Sequence, residues 1–131
     1  MSTVVNLKPA PVAKRRVLVV EDNLDSVHSM AVLLKMMGHE VEFAINGFAA
    51  MDIARRFRPE FILLDVSLPD FSGDKIARQL KYEPGLEKTR MIAITGLPLD
   101  QVKVRVLEAG CEAVYAKPIA PAVLEELLAN P

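Results

Sequence analysis

Two uninterrupted apolar runs, Val17-Leu18-Val19-Val20 and Phe61-Ile62-Leu63-Leu64, constrain what this chain can fold into more than any other feature. A strand with one face in water alternates apolar and polar residues, because successive side chains point to opposite faces. Strands apolar at every position have both faces covered, as central strands do in a parallel sheet flanked by helices. The two runs are therefore expected to be neighbours in the middle of such a sheet. Segments of helical period lie between the apolar runs, and the strand-then-helix rhythm continues along the chain. Further strands are expected at Val41 to Ile45, Met91 to Ile94 and Ala113 to Ala116, which makes five with the first two.

The helical segments carry their own signals. The first, from about Asp25 to Met37, places Val27, Ala31, Leu34 and Met37 or Met30 on one stripe and is closed by Gly38. The second, from about Phe48 to Phe57, is expected to bury Ala50, Ile53, Ala54 and Phe57, with Arg55, Arg56 and Arg58 near its C-terminal dipole. The third follows Gly73 and ends before Pro84-Gly85. Asp100 to Ala109 alternates Val102, Val104 and Val106 like a strand, yet Leu107-Glu108-Ala109-Gly110 ends like a capped helix. It is read as a marginal helix with Val104 outside. The last helix runs from about Pro121 to Ala129.

Length and charge narrow the functional classes. The 131 residues suit one domain, and a net charge of −1 offers no general attraction to nucleic acid or to an anionic membrane. No apolar run approaches the roughly 20 residues that span a bilayer, and no signal-peptide stretch opens the chain. With Cys111 as the single cysteine, no internal disulfide forms; it reads as a small core hydrophobe in a cytoplasmic protein. Residues 1–15, with Pro9, Pro11, Lys14 and Arg15, read as a flexible tail or linker, and the folded domain as residues 16–131. His28 and His39 lack ligand partners at helical spacing and read as surface or cap residues, while Met30, Met36, Met37 and Met51 read as core filler.

In an open parallel sheet, ligands bind beyond the carboxyl ends of the strands. The residues there form a consistent set: Glu21, Asp22 and Asn23 after the first strand, Asp65 after the third, Thr95 and Gly96 after the fourth, and Lys117 and Pro118 near the end of the fifth. Three carboxylates gathered at one edge repel one another, and a hard divalent cation such as Mg²⁺ relieves that repulsion while keeping several waters. A metal beside a carboxylate, with a lysine and a threonine across the pocket, suits in-line transfer of a phosphoryl group, with Asp65 as nucleophile. A single acidic residue after a strand is commonly a helix cap or a solvated charge. Four strand ends carrying matching chemistry are not explained that way.

The segments Val19-Val20-Glu21-Asp22-Asn23, Leu64-Asp65-Val66-Ser67-Leu68-Pro69-Asp70-Phe71-Ser72-Gly73, Ala93-Ile94-Thr95-Gly96 and Ala116-Lys117-Pro118-Ile119 resemble the four signature segments of bacterial response-regulator receiver domains, over Arg16 to about Ala129. Gly38, Gly47 and Gly110 also agree with that family. The resemblance implies a doubly wound α/β fold of flavodoxin-like strand order 2-1-3-4-5, with helices on both faces. It implies that Asp65 takes a phosphoryl group from the phosphohistidine of a histidine kinase or a histidine phosphotransfer protein. Asp22 and Asp65 would ligate Mg²⁺ directly, Glu21 through a metal-bound water, and Ser67 through its main-chain carbonyl. Thr95 and Lys117 would each meet a phosphoryl oxygen, and Pro118 would follow a cis peptide. Such a domain catalyses only its own phosphorylation and dephosphorylation. It is either a single-domain regulator or phosphorelay shuttle, or a receiver excised from a hybrid kinase.

Three other functions fit less well. An Mg²⁺-dependent phosphohydrolase of the haloacid-dehalogenase type wants a second aspartate two residues after the nucleophile, where Ser67 stands. A flavodoxin-like cofactor module needs a loop after the first strand that welcomes phosphate, and Glu21-Asp22 would repel it. A degenerate receiver that only docks partners would not keep the complete acidic set. On the outer surface, Val104, Leu97 and Leu99 form a candidate apolar patch for a partner or a second copy, on the face of the fourth helix, fifth strand and fifth helix. One departure from the family stands out: receivers commonly carry an aromatic residue three positions before the lysine, where this chain has Val114, with Tyr115 one residue later. A displacement of one residue reverses the face, so Tyr115 would need a register slip to substitute. The outward signal is then expected through the loop from Gly96 to Asp100 and the helix behind it.

Overall fold

The computed structural model describes residues 14–66 and 73–129. Strands and helices alternate throughout: β1 (Arg16–Val20), α1 (Leu24–Met36), β2 (Glu40–Ala44), α2 (Gly47–Phe57), β3 (Phe61–Asp65), α3 (Gly73–Lys81), β4 (Arg90–Thr95), α4 (Leu99–Glu108), β5 (Ala113–Ala116) and α5 (Pro121–Ala129). The five strands are parallel, in the order β2-β1-β3-β4-β5. The expected pairing of the two apolar runs holds, with Val17 opposite Phe61 and Val20 opposite Leu64.

Alternation along each strand divides the core in two. Val17, Val19, Phe61, Leu63, Ile92 and Ile94 face α1 and α5, packing on Val27, Leu34 and Leu124. Leu18, Val20, Ile62, Leu64, Met91 and Ala93 face α2, α3 and α4, packing on Ala50, Ala54, Ile76, Leu80, Val102 and Val106. Each fully buried aliphatic side chain contributes about 1.5–3 kcal/mol, so these two layers hold the strands in register. β2, at the edge, behaves differently: only Ala44 of its residues is buried, and Phe43 is exposed.

Local chemistry sets the helix ends. The side chain of Asn23 accepts the Ser26 N–H at 2.9 Å, and that of Asn46 accepts the Ala49 N–H at 2.8 Å, so each caps its helix. Gly38 takes φ of +96°, which ends α1 as its left-handed preference suggests. In α1, Val27, Ala31 and Leu34 are buried as expected, whereas Met36 lies on the outer side and is exposed rather than core filler. In α2, Ala50 and Ala54 are buried, but Ile53 and Phe57 are only half-buried. In α4, Val102 and Val106 are buried and Val104 is exposed, as the helical reading of that segment requires.

His39 departs from expectation. It is buried, and its Nδ1 accepts the Arg15 N–H at 3.0 Å. Burial, with help from the Arg15 charge, lowers its pKa against an opposing pull from Glu60. Lys14 pairs with Glu40 at 3.5 Å, while Arg15 donates from Nε to the Leu128 carbonyl at 2.9 Å. The rest of the expected tail, residues 1–13, lies outside the described residues. Cys111 is buried, and burial, with repulsion from Asp74, pushes its thiol up to about 11, so it is the inert core residue expected. No helix among the described residues is long and apolar enough to cross a membrane.

Candidate functional site

The carboxyl ends of β1, β3 and β5 bring four charged side chains together. Carboxylate oxygens of Glu21, Asp22 and Asp65 all lie within 4.8 Å of one another. Glu21 follows β1 directly and its N–H donates to the Ala44 carbonyl at 3.0 Å, which fixes the turn out of the sheet. Its Oε1 accepts the Asn23 N–H at 3.2 Å, so the residue that caps α1 also orients this carboxylate. Asp65 ends β3, buried because β1 and β4 flank it; Asp22, one step further out, is exposed.

Lys117 is the counter-charge. Its Nζ donates to Glu21 Oε2 at 2.5 Å and to Asp65 Oδ2 at 3.0 Å. Burial alone would lower the lysine pKa, but the hydrogen bonds to Glu21 and Asp65 outweigh it and the pKa rises. For Glu21 the balance runs the other way: burial, with repulsion from Asp65, raises its pKa despite the hydrogen bond from Lys117. Among the described residues, the cluster sets the carboxylates of Glu21, Asp22 and Asp65 against the Lys117 ammonium.

The site opens into a cleft of about 500 Å³ between α1 and the turn from β5 to α5. Glu21, Asp65 and Lys117 line it beside Ser26, Ser29 and Met30 of α1. Reading the sequence for strand ends alone misses these α1 residues; their spacing of three and four, on the flank next to the Val27 stripe, is the signal that would have found them. The Lys117–Pro118 peptide is cis, as the family resemblance implied.

Thr95 stands at the same sheet edge, but its side chain is fully buried and its Oγ1 accepts the Leu97 N–H at 2.9 Å. Alternation along β4 puts it on the face of Met91 and Ala93, behind the cleft, and its carbonyl accepts the Lys117 N–H at 2.8 Å. Ser67 lies outside the described residues. At the departure noted in β5, the register has no slip: Val114 pairs with Ala93 and Tyr115 with Ile94. Val114 packs toward the α2, α3 and α4 layer and Tyr115 toward the α1 and α5 layer.

A flavodoxin-like parallel sheet of this strand order, with an acidic cluster and a lysine at its carboxyl edge, is the architecture of receiver-type signalling domains. The model of the response regulator receiver domain matches residues 17–129, and the chain belongs to that family. It is 35% identical over 106 residues to the polar-differentiation response regulator DivK of Brucella anthropi, covering 81% of this chain and 86% of that protein. Among solved structures, it resembles the receiver domain of a Pseudomonas aeruginosa sensor histidine kinase, determined with a magnesium ion coordinated in the active-site cleft. That match has 29% identity and a TM-score of 0.80, covering 88% of this chain and 95% of the other. The receiver domain of a signal transduction histidine kinase from Syntrophus aciditrophicus matches at 30% identity and a TM-score of 0.78, covering 87% and 86%.

Proposed function

We propose that Asp65 accepts a phosphoryl group from the phosphohistidine of a partner kinase or phosphotransfer protein in an Mg²⁺-dependent reaction, and that the resulting conformational change is the output. The observation that carries this reading is the placement of Asp65, buried yet lining the cleft, within reach of Glu21, Asp22 and the Lys117 ammonium. The oxygen-rich donor set suits Mg²⁺, with Asp22 and Asp65 as direct ligands, Glu21 acting through a water and the Ser67 carbonyl assigned from the family resemblance. Bound there, the ion would neutralise charge on the transferring group.

The chain's own groups then have defined tasks. An Asp65 carboxylate oxygen attacks phosphorus in line, the P–N bond breaks, and its electron pair returns to the imidazole, which takes up a proton. Lys117, already hydrogen-bonded to Asp65, shifts to pair with a phosphoryl oxygen. The Thr95 hydroxyl accepts from Leu97 behind the cleft and keeps its own proton, which it donates to another phosphoryl oxygen once its side chain turns toward Asp65. No proton-relaying carboxylate is assigned for a foreign substrate, so the domain acts on itself. The reading places it in the cytoplasm, with kinase or phosphotransfer partners rather than nucleic acid or membrane.

Incubation with acetyl phosphate and Mg²⁺, followed by intact-mass measurement, tests the reading. The wild type is expected to gain one phosphoryl group, and both Asp65→Asn and chelation of Mg²⁺ to abolish it. Retention of the modification in either case would overturn the assignment. Profiling against phosphorylated kinases and phosphotransfer proteins of the source organism would then identify the donor.

A further inference from the structure

α3 begins against the backbone of β3 with no clearance. A Cβ built on Gly73 would lie 2.3 Å from Val66 Cα and 2.6 Å from the Asp65 carbonyl oxygen, so only glycine lets the helix start there. The Gly73 N–H donates to the Val66 carbonyl at 2.8 Å, which fixes the contact. Asp74, the next residue, is only 7% exposed, and its Oδ1 accepts no hydrogen bond among the described residues. A buried carboxylate oxygen in that condition is costly unless a charge faces it. The facing charge is Arg105 of α4, whose Nε lies 3.5 Å away.

Besides that ion pair, α4 packs against β5, but its own helix signals are weak. Its buried residues are Val102 and Val106, its N-cap Pro98 supplies no side-chain cap, and three of its ten residues are β-branched valines of low helix propensity. Its N-terminal end follows directly on Thr95 through residues 96–98. A helix with no side-chain N-cap and several β-branched residues is intrinsically less stable than its neighbours and shifts more readily when its surroundings change.

We propose that Asp74 and Arg105 form a latch that holds α4 in its resting position and couples it, through Gly73, to the backbone at Asp65. The inference rests on the phosphoacceptor reading above and goes beyond it by naming the contact that gates the output helix. A change in backbone position at Asp65 and Val66 when the site fills is passed to Gly73, because no space separates them, and so to Asp74. The ion pair to Arg105 then lengthens, and α4 is released from α3. Removal of the pair favours the released arrangement before anything binds, and a ligand that prefers that arrangement binds more tightly.

The test compares the wild type with Asp74→Asn, Arg105→Gln, the double variant and Arg105→Lys. Two quantities are read: amide hydrogen exchange across residues 99–108 in the resting protein, and affinity for beryllofluoride with Mg²⁺, used as the phosphoryl mimic. Both charge-removing single variants are expected to exchange faster in α4 and to bind beryllofluoride about fivefold more tightly. The double variant should gain nothing over either single one, and Arg105→Lys should stay near wild type. Arg105→Gln leaves a buried charge uncompensated and is at risk of misfolding, whereas Asp74→Asn keeps the side-chain shape and removes that charge. Unchanged exchange and affinity in Asp74→Asn, or additive effects in the double variant, would overturn the latch alone. A wild type that binds no beryllofluoride would overturn the phosphoacceptor reading, and the coupling with it.

Discussion

The two ends of the same parallel sheet are built on opposite electrostatic plans. At the amino end, each prominent charge has partners. Arg90 grips both Glu112 oxygens at 2.7 Å and lies 4.7 Å from the centre of the Phe61 ring, with Arg15 at 5.7 Å from that ring. Arg15 and Arg16 both approach Glu60, and Arg16 donates to the Arg58 carbonyl. At the carboxyl end, Lys117 donates to both Glu21 and Asp65, and Asp22 extends the acidic group outward. A fold that needed only stability would compensate both ends. The acidic end is where the proposed cation and phosphoryl group would act.

The comparison can be broken most forcefully at Asp22. Loss of groups that merely support metal ligands costs about 10- to 100-fold in metal affinity, so loss of a direct ligand is expected to reach about 100-fold or beyond. Isothermal titration of Asp22→Ala with Mg²⁺ should show that loss, with folding intact because Asp22 is exposed. Binding within a fewfold of wild type would remove Asp22 from the site. At the opposite end, Arg90→Ala removes the stacked guanidinium and the paired hydrogen bonds to Glu112. Urea unfolding is expected to show a loss of about 1–2 kcal/mol, while the rate of phosphorylation by acetyl phosphate stays unchanged. A matching loss of phosphorylation would mean that the two ends are not separable.

The smallest effect concerns His39, whose pKa is lowered in the folded state by burial and by Arg15, against Glu60. The unfolded chain therefore takes up a proton near pH 6.5 that the folded chain refuses. Stability from this group is complete above that pH and is lost as pH falls from about 6.5 toward the lower folded value. Chemical denaturation at pH 7.5 and 5.5 should show wild type losing more stability on acidification than His39→Asn. Equal losses would show that the Arg15 contact does not depend on a neutral imidazole.

Much of this was legible in the chain because it depends on order along the sequence. The apolar runs at 17–20 and 61–64 dictated central strands, and strand ends put Glu21, Asp22, Asp65, Thr95 and Lys117 at one edge. What escaped depends on contacts between distant segments. His39 looked like a surface residue because nothing near it in sequence shows that the Arg15 amide would donate to it. Asp74 stands in the first turn of a helix, and nothing near it in sequence shows that it is buried beside Arg105 of α4. The burial of Thr95 behind the cleft, and the sharing of Lys117 between two carboxylates, depend on side-chain directions that motif spacing does not carry.

The central claim, that repulsion at the carboxyl end is retained for Mg²⁺ and phosphoryl chemistry, is tested most directly by urea unfolding of wild type and Asp65→Asn with and without Mg²⁺. Without the ion, the variant should be no less stable than wild type, because it loses a carboxylate that repels Glu21 while Lys117 keeps its bond to Glu21. With Mg²⁺ at about 100 times its dissociation constant, the wild type should gain about 2.7 kcal/mol and the variant far less. A variant clearly less stable than wild type without the ion, or equal stabilisation of both proteins by Mg²⁺, would contradict the account and make Asp65 a structural residue.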